Sequence, residues 1–122
     1  LVREENLACD VRARETIAQL ATELQALYLL AYRVAWLGDQ HRIPEWEAPM
    51  VKLMLTEFMK KFSSAAIDIL GPRGLLRSGS KGALMQGTLE WMYRHAARRT
   101  ISAGTSEIMR NTIAQRALGM PR

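Results

Sequence analysis

The residues best suited to chemistry stand in TISAGTSEIMRN, positions 100 to 111, where a loop of small residues with one glycine runs into a helix start. Gly104 permits close backbone approach, Thr105 or Ser106 can cap, and Glu107 falls in the first turn, where the helix dipole favours an acid. Two functions suit that pattern. One is a well-capped helix and nothing more; the other is a seat for a phosphate group, made of unpaired N–H groups, two hydroxyls and a glycine. Composition alone favours the cap. The same choice arises at GPRG, residues 71 to 74, where glycines flank an arginine in what is either a turn or a surface of close approach.

Other constellations carry less. The serines at 63, 64, 78, 80, 102 and 106 lack a nucleophile-elbow setting, and neither histidine has an orienting carboxylate at local spacing. The acid pairs Glu4 with Glu5 and Glu45 with Glu47 lie in segments that read as exposed, so solvation is expected of both. Cys9 is the only cysteine, which excludes an internal disulfide, and no short spacing joins it to His41 or His95. No metal site is expected. The net charge of +5 comes mostly from arginine, yet only Arg94, Arg98 and Arg99 cluster, and no aromatics interleave with them. No nucleic-acid partner is expected either. Met50, Met54, Met59, Met92, Trp36 and Trp91 sit at helical spacing and are expected to pack a core or an interface.

The elements that must position these residues are helices. A chain of 122 residues with 48% hydrophobic and 24% charged residues has the size and composition of one globular domain. Arg33 and Asp39 bracket the most apolar run, around LYLLAYRVAWL, so no bilayer-spanning helix is expected. The start, LVREENLACD, is charged where an export signal would be apolar, and a cytoplasmic location is the expectation. Asp10 is a natural N-cap for a long helix whose face carries Ile17, Leu20, Ala21, Leu24, Leu27, Tyr28, Ala31 and Val34, with Gly38 suited to end it in a left-handed conformation. A second helix is expected from about Ala48, with Val51, Leu55, Phe58, Phe62, Ala65 and Ile69 on one face, stopping at Gly71 and Pro72. GPRGLLRSGSKG, residues 71 to 82, is a loop. A third helix places Leu89, Met92 and Ala96 inward and ends near Ile101, and a fourth runs from about Thr105 to Leu118. The fold class that follows is all-α, an up-and-down four-helix bundle.

The last stretch, AARRTISAGTSEIMRNTIAQRALGMPR, resembles the end of the acyl-CoA dehydrogenases, the FAD-dependent enzymes that desaturate acyl-CoA thioesters between Cα and Cβ. RETIAQLATELQALYLLAYR resembles the family's first long C-terminal helix here, and MVKLMLTEF with DILGPRGLL its second helix and glycine turn. The resemblance covers nearly all 122 residues. It implies that residues 1–122 are the C-terminal helical bundle without its first helix, and that the N-terminal and middle domains lie outside this chain. By itself such a fragment is expected to be inactive and too poor in contacts to hold FAD.

For the site, the resemblance implies that Gly104 and Thr105 contact the flavin. It also implies that Gly71 and Gly74 form the turn that approaches the ADP part of FAD in a neighbouring subunit. Asp68 and Glu107 occupy cofactor-side positions where relatives often carry glutamine, and Pro72 replaces a frequent glycine. His95 stands where the family often has aspartate, beside Arg94. In the best-known members the catalytic glutamate immediately precedes the Gly-Thr pair; here that residue is Ala103, whose methyl group accepts no proton, so no catalytic residue is expected in this chain.

Three explanations stay open: a base carried on the preceding helix, a base supplied by a partner subunit, or a subunit without dehydrogenase activity. The first is favoured, and the space left by Ala103 suits a bulky branched or steroid-derived acyl group. The implied partners are an acyl-CoA substrate, an electron-transfer acceptor, and either copies of the same chain, as a dimer or tetramer, or a related subunit in a heteromer. The alternative from another class is a helical interaction or oligomerisation module without chemistry, in which Gly104–Ser106 is only a cap.

Overall fold

The computed structural model describes residues 9–121, and the Glu4 and Glu5 pair lies outside them. Four α-helices account for the architecture: α1 (Val11–Asp39), α2 (Glu47–Leu70), α3 (Thr88–Arg99) and α4 (Ser106–Leu118). Among the described residues there is no strand. None of these helices is long and apolar enough to cross a membrane. The all-helical expectation holds, with a particular arrangement. Helices α1, α3 and α4 each pack against α2 and not against one another.

Ion pairs fix the directions. Arg33 late in α1 meets Glu47 at the start of α2 at 3.2 Å, while Lys61 late in α2 meets Glu23 in mid-α1, so the two run antiparallel. Arg110 pairs with Glu57, and Arg116 reaches Glu45 just before α2 at 3.7 Å, which sets α4 antiparallel to α2 as well. Most of these pairs are exposed and fix register more than they stabilise. The exception is Glu47, 5% exposed, which corrects its reading as a solvated acid. The Arg33 guanidinium that holds it also lies over the Trp46 ring, 5.4 Å from its centroid.

Asp10 caps α1 as expected, accepting from the N–H groups of Arg12 and Ala13 at 2.8 and 3.3 Å. Its buried stripe is narrower than the apolar pattern suggests. Ala13, Leu20 and Leu27, seven residues apart, are buried together with Leu37, whereas Ile17, Leu24 and Tyr28 are exposed. One packing partner covers one narrow seam, and the remaining apolar positions stay outside it. Gly38 does not end the helix. The left-handed residue is His41, φ 56°, where Arg42 N–H donates to the Leu37 carbonyl and His41 N–H to the Gly38 carbonyl, both at 2.9 Å. That pair of bonds is the Schellman closure, shifted three residues beyond the glycine.

On α2 the expected inward face is also displaced. Leu55 is exposed and Val51, Phe58, Phe62, Ala65 and Ile69 are only half-buried, while the buried positions are Glu47, Thr56 and Ser63. Thr56 and Ser63 donate to carbonyls of their own helix, at Lys52 and Met59, at 3.0 and 2.8 Å. A hydroxyl satisfied within its own helix behaves as a small residue and lets neighbouring helices come close. Ser63 shares a hollow with Tyr93, Arg94 and Ala97 of α3, whose Ala96 and Leu89 are buried as expected and whose Met92 is half-buried.

The glycine-rich segment begins as a 3₁₀ turn, Gly71–Leu75, and a second such turn, Leu84–Gly87, leads into α3. Gly87 has φ +77° and lies so near the chain at Arg77 and Ser78 that an added Cβ would fall 2.3 Å from the Ser78 nitrogen. Only glycine closes that crossing.

The buried serine gives a direct test of the packing. Ser63→Leu is expected to cost about 2 kcal/mol or more through overpacking, and Ser63→Ala less than about 1 kcal/mol, measured by urea unfolding.

Candidate functional site

The loop between α3 and α4 is tied at both ends. Ser102 N–H donates to the Arg98 carbonyl at 3.0 Å, and Ser106 N–H to the Thr100 carbonyl at 3.1 Å. Between these bonds the chain turns through two left-handed residues, Ala103 with φ 55° and Gly104 with φ +94°. Ala103 is exposed and carries a conformation unusual for a residue with a Cβ. At Gly104 a Cβ would lie 2.5 Å from the Met109 methyl carbon, the movable end of a flexible side chain, so it is the left-handed φ that calls for glycine here. The Gly104 carbonyl accepts from the Lys52 ammonium on α2.

Thr105, not Ser106, caps α4, its hydroxyl oxygen accepting from Ile108 N–H at 3.3 Å. Glu107 completes the cap: its own backbone N–H and then the Thr105 hydroxyl hold its carboxyl below the usual range, aided by the charges of Arg110 and Lys52 against partial desolvation. The first-turn N–H groups of Ser106 and Ile108 are therefore engaged within the chain, at 3.1 and 3.3 Å. The helix end is a closed cap more than a vacant anion seat.

Ser106 breaks the pattern. It is 7% exposed, and its Oγ has no hydrogen-bond partner. It borders an open hollow of about 690 Å³ between α2 and the start of α4. Asp68 and Glu107, expected in two different motifs, face this hollow together, with Thr100, Lys60 and Ser64 on its wall. Lys61 and Arg110 also line it, already paired with Glu23 and Glu57. Gly104 and Thr105 adjoin Ser106 without lining the hollow, and neither Gly71 nor Gly74 lines it. Gly74 is buried with its Cα hydrogen side against Ile67, 3.3 Å from where a Cβ would be.

A second cluster escaped the sequence. Glu90, 8% exposed, accepts from Arg94 at 2.9 and 3.4 Å and meets Arg77 at 3.5 Å. The Arg94 hydrogen bond, then its charge and that of Arg77, hold the Glu90 carboxyl low against desolvation. Arg94 thus has a partner in Glu90, one helical turn back, and needs none at position 95; the spacing of four was the available signal. His95 stacks on Trp91 with centroids 4.4 Å apart and is bonded through Nδ1 to the Trp91 carbonyl at 2.9 Å. Cys9 is exposed and free, and the described residues contain no group of three metal-ligating side chains.

The family model for the acyl-CoA dehydrogenase C-terminal domain matches residues 3–118. Acyl-CoA dehydrogenase FadE26 of Mycobacterium tuberculosis is 36% identical over 76 residues, 62% of this chain and 19% of that protein. Two solved structures are close in fold. The Tcur3481-Tcur3483 steroid ACAD superposes with TM-score 0.93 and 26% identity over 99% of this chain and 32% of its own. The ChsE4-ChsE5 complex from Mycobacterium tuberculosis does so with TM-score 0.87 and 28% identity over 95% of this chain and 30% of its own. The chain thus spans a fifth to a third of the length of these relatives.

The cap makes a prediction with a defined sign. Because the folded Glu107 pKa is lowered, its contribution to stability is present above the ordinary carboxyl value of 4.5 and is lost as pH falls through the folded value. Thr105→Val should cost about 1 kcal/mol and move the Glu107 titration, followed by NMR, back toward the ordinary value, whereas Thr105→Ser should preserve both.

Proposed function

This chain belongs to the acyl-CoA dehydrogenase family, whose C-terminal domain it matches, and on that premise we propose that it forms one wall of a FAD site in a longer acyl-CoA desaturase. The observation that carries the reading is the hollow bounded by Asp68, Ser106 and Glu107, with its unpartnered buried hydroxyl. The Ser106 Oγ lacks a partner but is itself enclosed, so it marks the polar edge of the hollow, and the accessible groups that face a ligand there are Lys60, Asp68 and Glu107.

The chemistry of the wall suits part of the dinucleotide better than another part. Asp68 and Glu107 are acceptors, matched to ribose hydroxyls or the adenine amino group, and they repel a diphosphate placed directly against them. Lys60 is the cation on this wall that meets a phosphate without first leaving a carboxylate shown paired to it. The Gly104–Thr105 peptide and the exposed Ala103 lie along the loop beside that hollow, where the flavin end belongs in this reading.

FAD supplies the hydride acceptor, at N5, for the β-hydrogen of the acyl group. The α-proton needs a carboxylate, and Ala103 provides none. The base therefore comes from another segment of the longer protein or from a partner subunit. The second source is supported by the two similar structures, each of which is described by two protein names. The space at Ala103 suits a bulky acyl group, and the steroid description of one of those structures supports that choice. An electron-transfer acceptor is the partner that would reoxidise the bound flavin. The exposed apolar side chains of α1, among them Leu29, Tyr32 and Trp36, support burial of this helix in an oligomer or against the rest of the protein.

The test is on the full-length product of the natural gene, alone and together with any related subunit encoded beside it. Its absorbance should show bound flavin, and anaerobic addition of acyl-CoA thioesters, including branched and steroid-derived ones, should bleach it. Protein without flavin in both preparations would overturn the reading.

A further inference from the structure

Lys52 lies on α2, far in sequence from the site, yet its ammonium reaches across to the carbonyl of Gly104, 52 residues on. The side chain is half-buried, and it contacts the loop where the backbone is least relaxed, immediately after the left-handed Ala103 and at the left-handed Gly104. The other fixed points, at Ser102 N–H and Ser106 N–H, hold only the ends of the loop. Lys52 holds its middle.

The direction of one peptide follows from that bond. The described peptide bonds are all trans, and across a trans peptide the carbonyl and the N–H point in opposite directions. Drawing the Gly104 carbonyl toward α2 turns the Thr105 N–H of the same peptide away from α2. Without the ammonium, a Gly-containing loop with two left-handed residues has other ways to orient this peptide. A hydrogen bond to a charged donor is among the stronger ones a loop can make, and here it selects one of them.

We propose that Lys52 is the positioning residue of the candidate flavin site, fixing the direction of the Gly104–Thr105 peptide in the loop that borders the bound dinucleotide. The part concerning flavin rests on the function proposed above; the part concerning the loop does not. Lys52 touches no reacting atom in this scheme. It acts through the peptide it holds, and through its charge it also helps keep Glu107 ionised in the cap.

The experiment compares Lys52→Met and Lys52→Arg with the parent in the full-length protein, by amide hydrogen exchange and by flavin affinity and absorbance. In Lys52→Met the Ser106 and Ile108 amides should exchange about tenfold faster or more, while Leu20 and Leu27 in α1 stay unchanged. Flavin affinity should fall by about the same factor, with a shifted flavin absorbance band, and Lys52→Arg should restore both. Unchanged exchange at Ser106 overturns the proposal. So does faster exchange with flavin affinity and spectrum intact, since Lys52 would then hold the loop without serving a ligand. Should no variant, nor the parent, bind flavin, the proposed function fails and the exchange readout alone decides whether Lys52 fixes the peptide.

Discussion

The close packing of α2 on three sides is the constraint on which the rest of the structure depends. Helices α1, α3 and α4 meet α2 and not each other, so α2 has to present several buried surfaces at once. Large apolar residues at every such point would hold the neighbours apart. Instead the most enclosed position is Ser63, with no exposed surface, and Thr56 lies seven residues before it. Both hydroxyls are returned to the helix backbone, so neither carries an unmet hydrogen bond into the packing. The half-buried Phe58 and Phe62, with ring centroids 6.0 Å apart, fill space beside this line.

The candidate site is a consequence of that hub. Asp68, near the end of α2, and Glu107, in the first turn of α4, belong to segments almost forty residues apart, and the antiparallel packing of α4 on α2 brings them to one hollow. The same helix sends Lys52 to the loop before α4. One rigid element thus sets both the wall and the loop that borders it, the kind of support a precise binding site requires. The charge on the wall is mixed, and two of its cations are committed to Glu23 and Glu57. Lys60 and Asp68 line the same wall, with the enclosed and unpartnered Ser106 hydroxyl at its edge.

Much of this was legible in the sequence where the signal is local. The Asp10 cap, the stop at Gly71, the start of α4 at Thr105 and Ser106, and its end at Leu118 follow from side chains within a turn of where they act. The family resemblance rested on such local motifs and held. The buried faces were harder to read, because periodicity reports every apolar residue on a helix and not how many neighbours will cover it. That is why Tyr28 read as inward and is 52% exposed, and why Ser63 and Glu47 were passed over. Gly38 misled for a related reason: a glycine is permissive, and the Schellman bonds chose His41 instead. The Lys52 ammonium is bonded to a carbonyl 52 residues on, so no local spacing rule could connect it with Gly104.

The deciding question is whether a dinucleotide lies against this wall. Photolabelling of the full-length protein with an azido-substituted FAD, followed by mass spectrometry of the digested protein, asks that directly. Label carried by this chain is expected to fall in the segments around Ser64 to Asp68 and Thr100 to Arg110, and excess FAD to suppress it. Label confined to other surfaces of the helices, with these two segments unmodified, would contradict it.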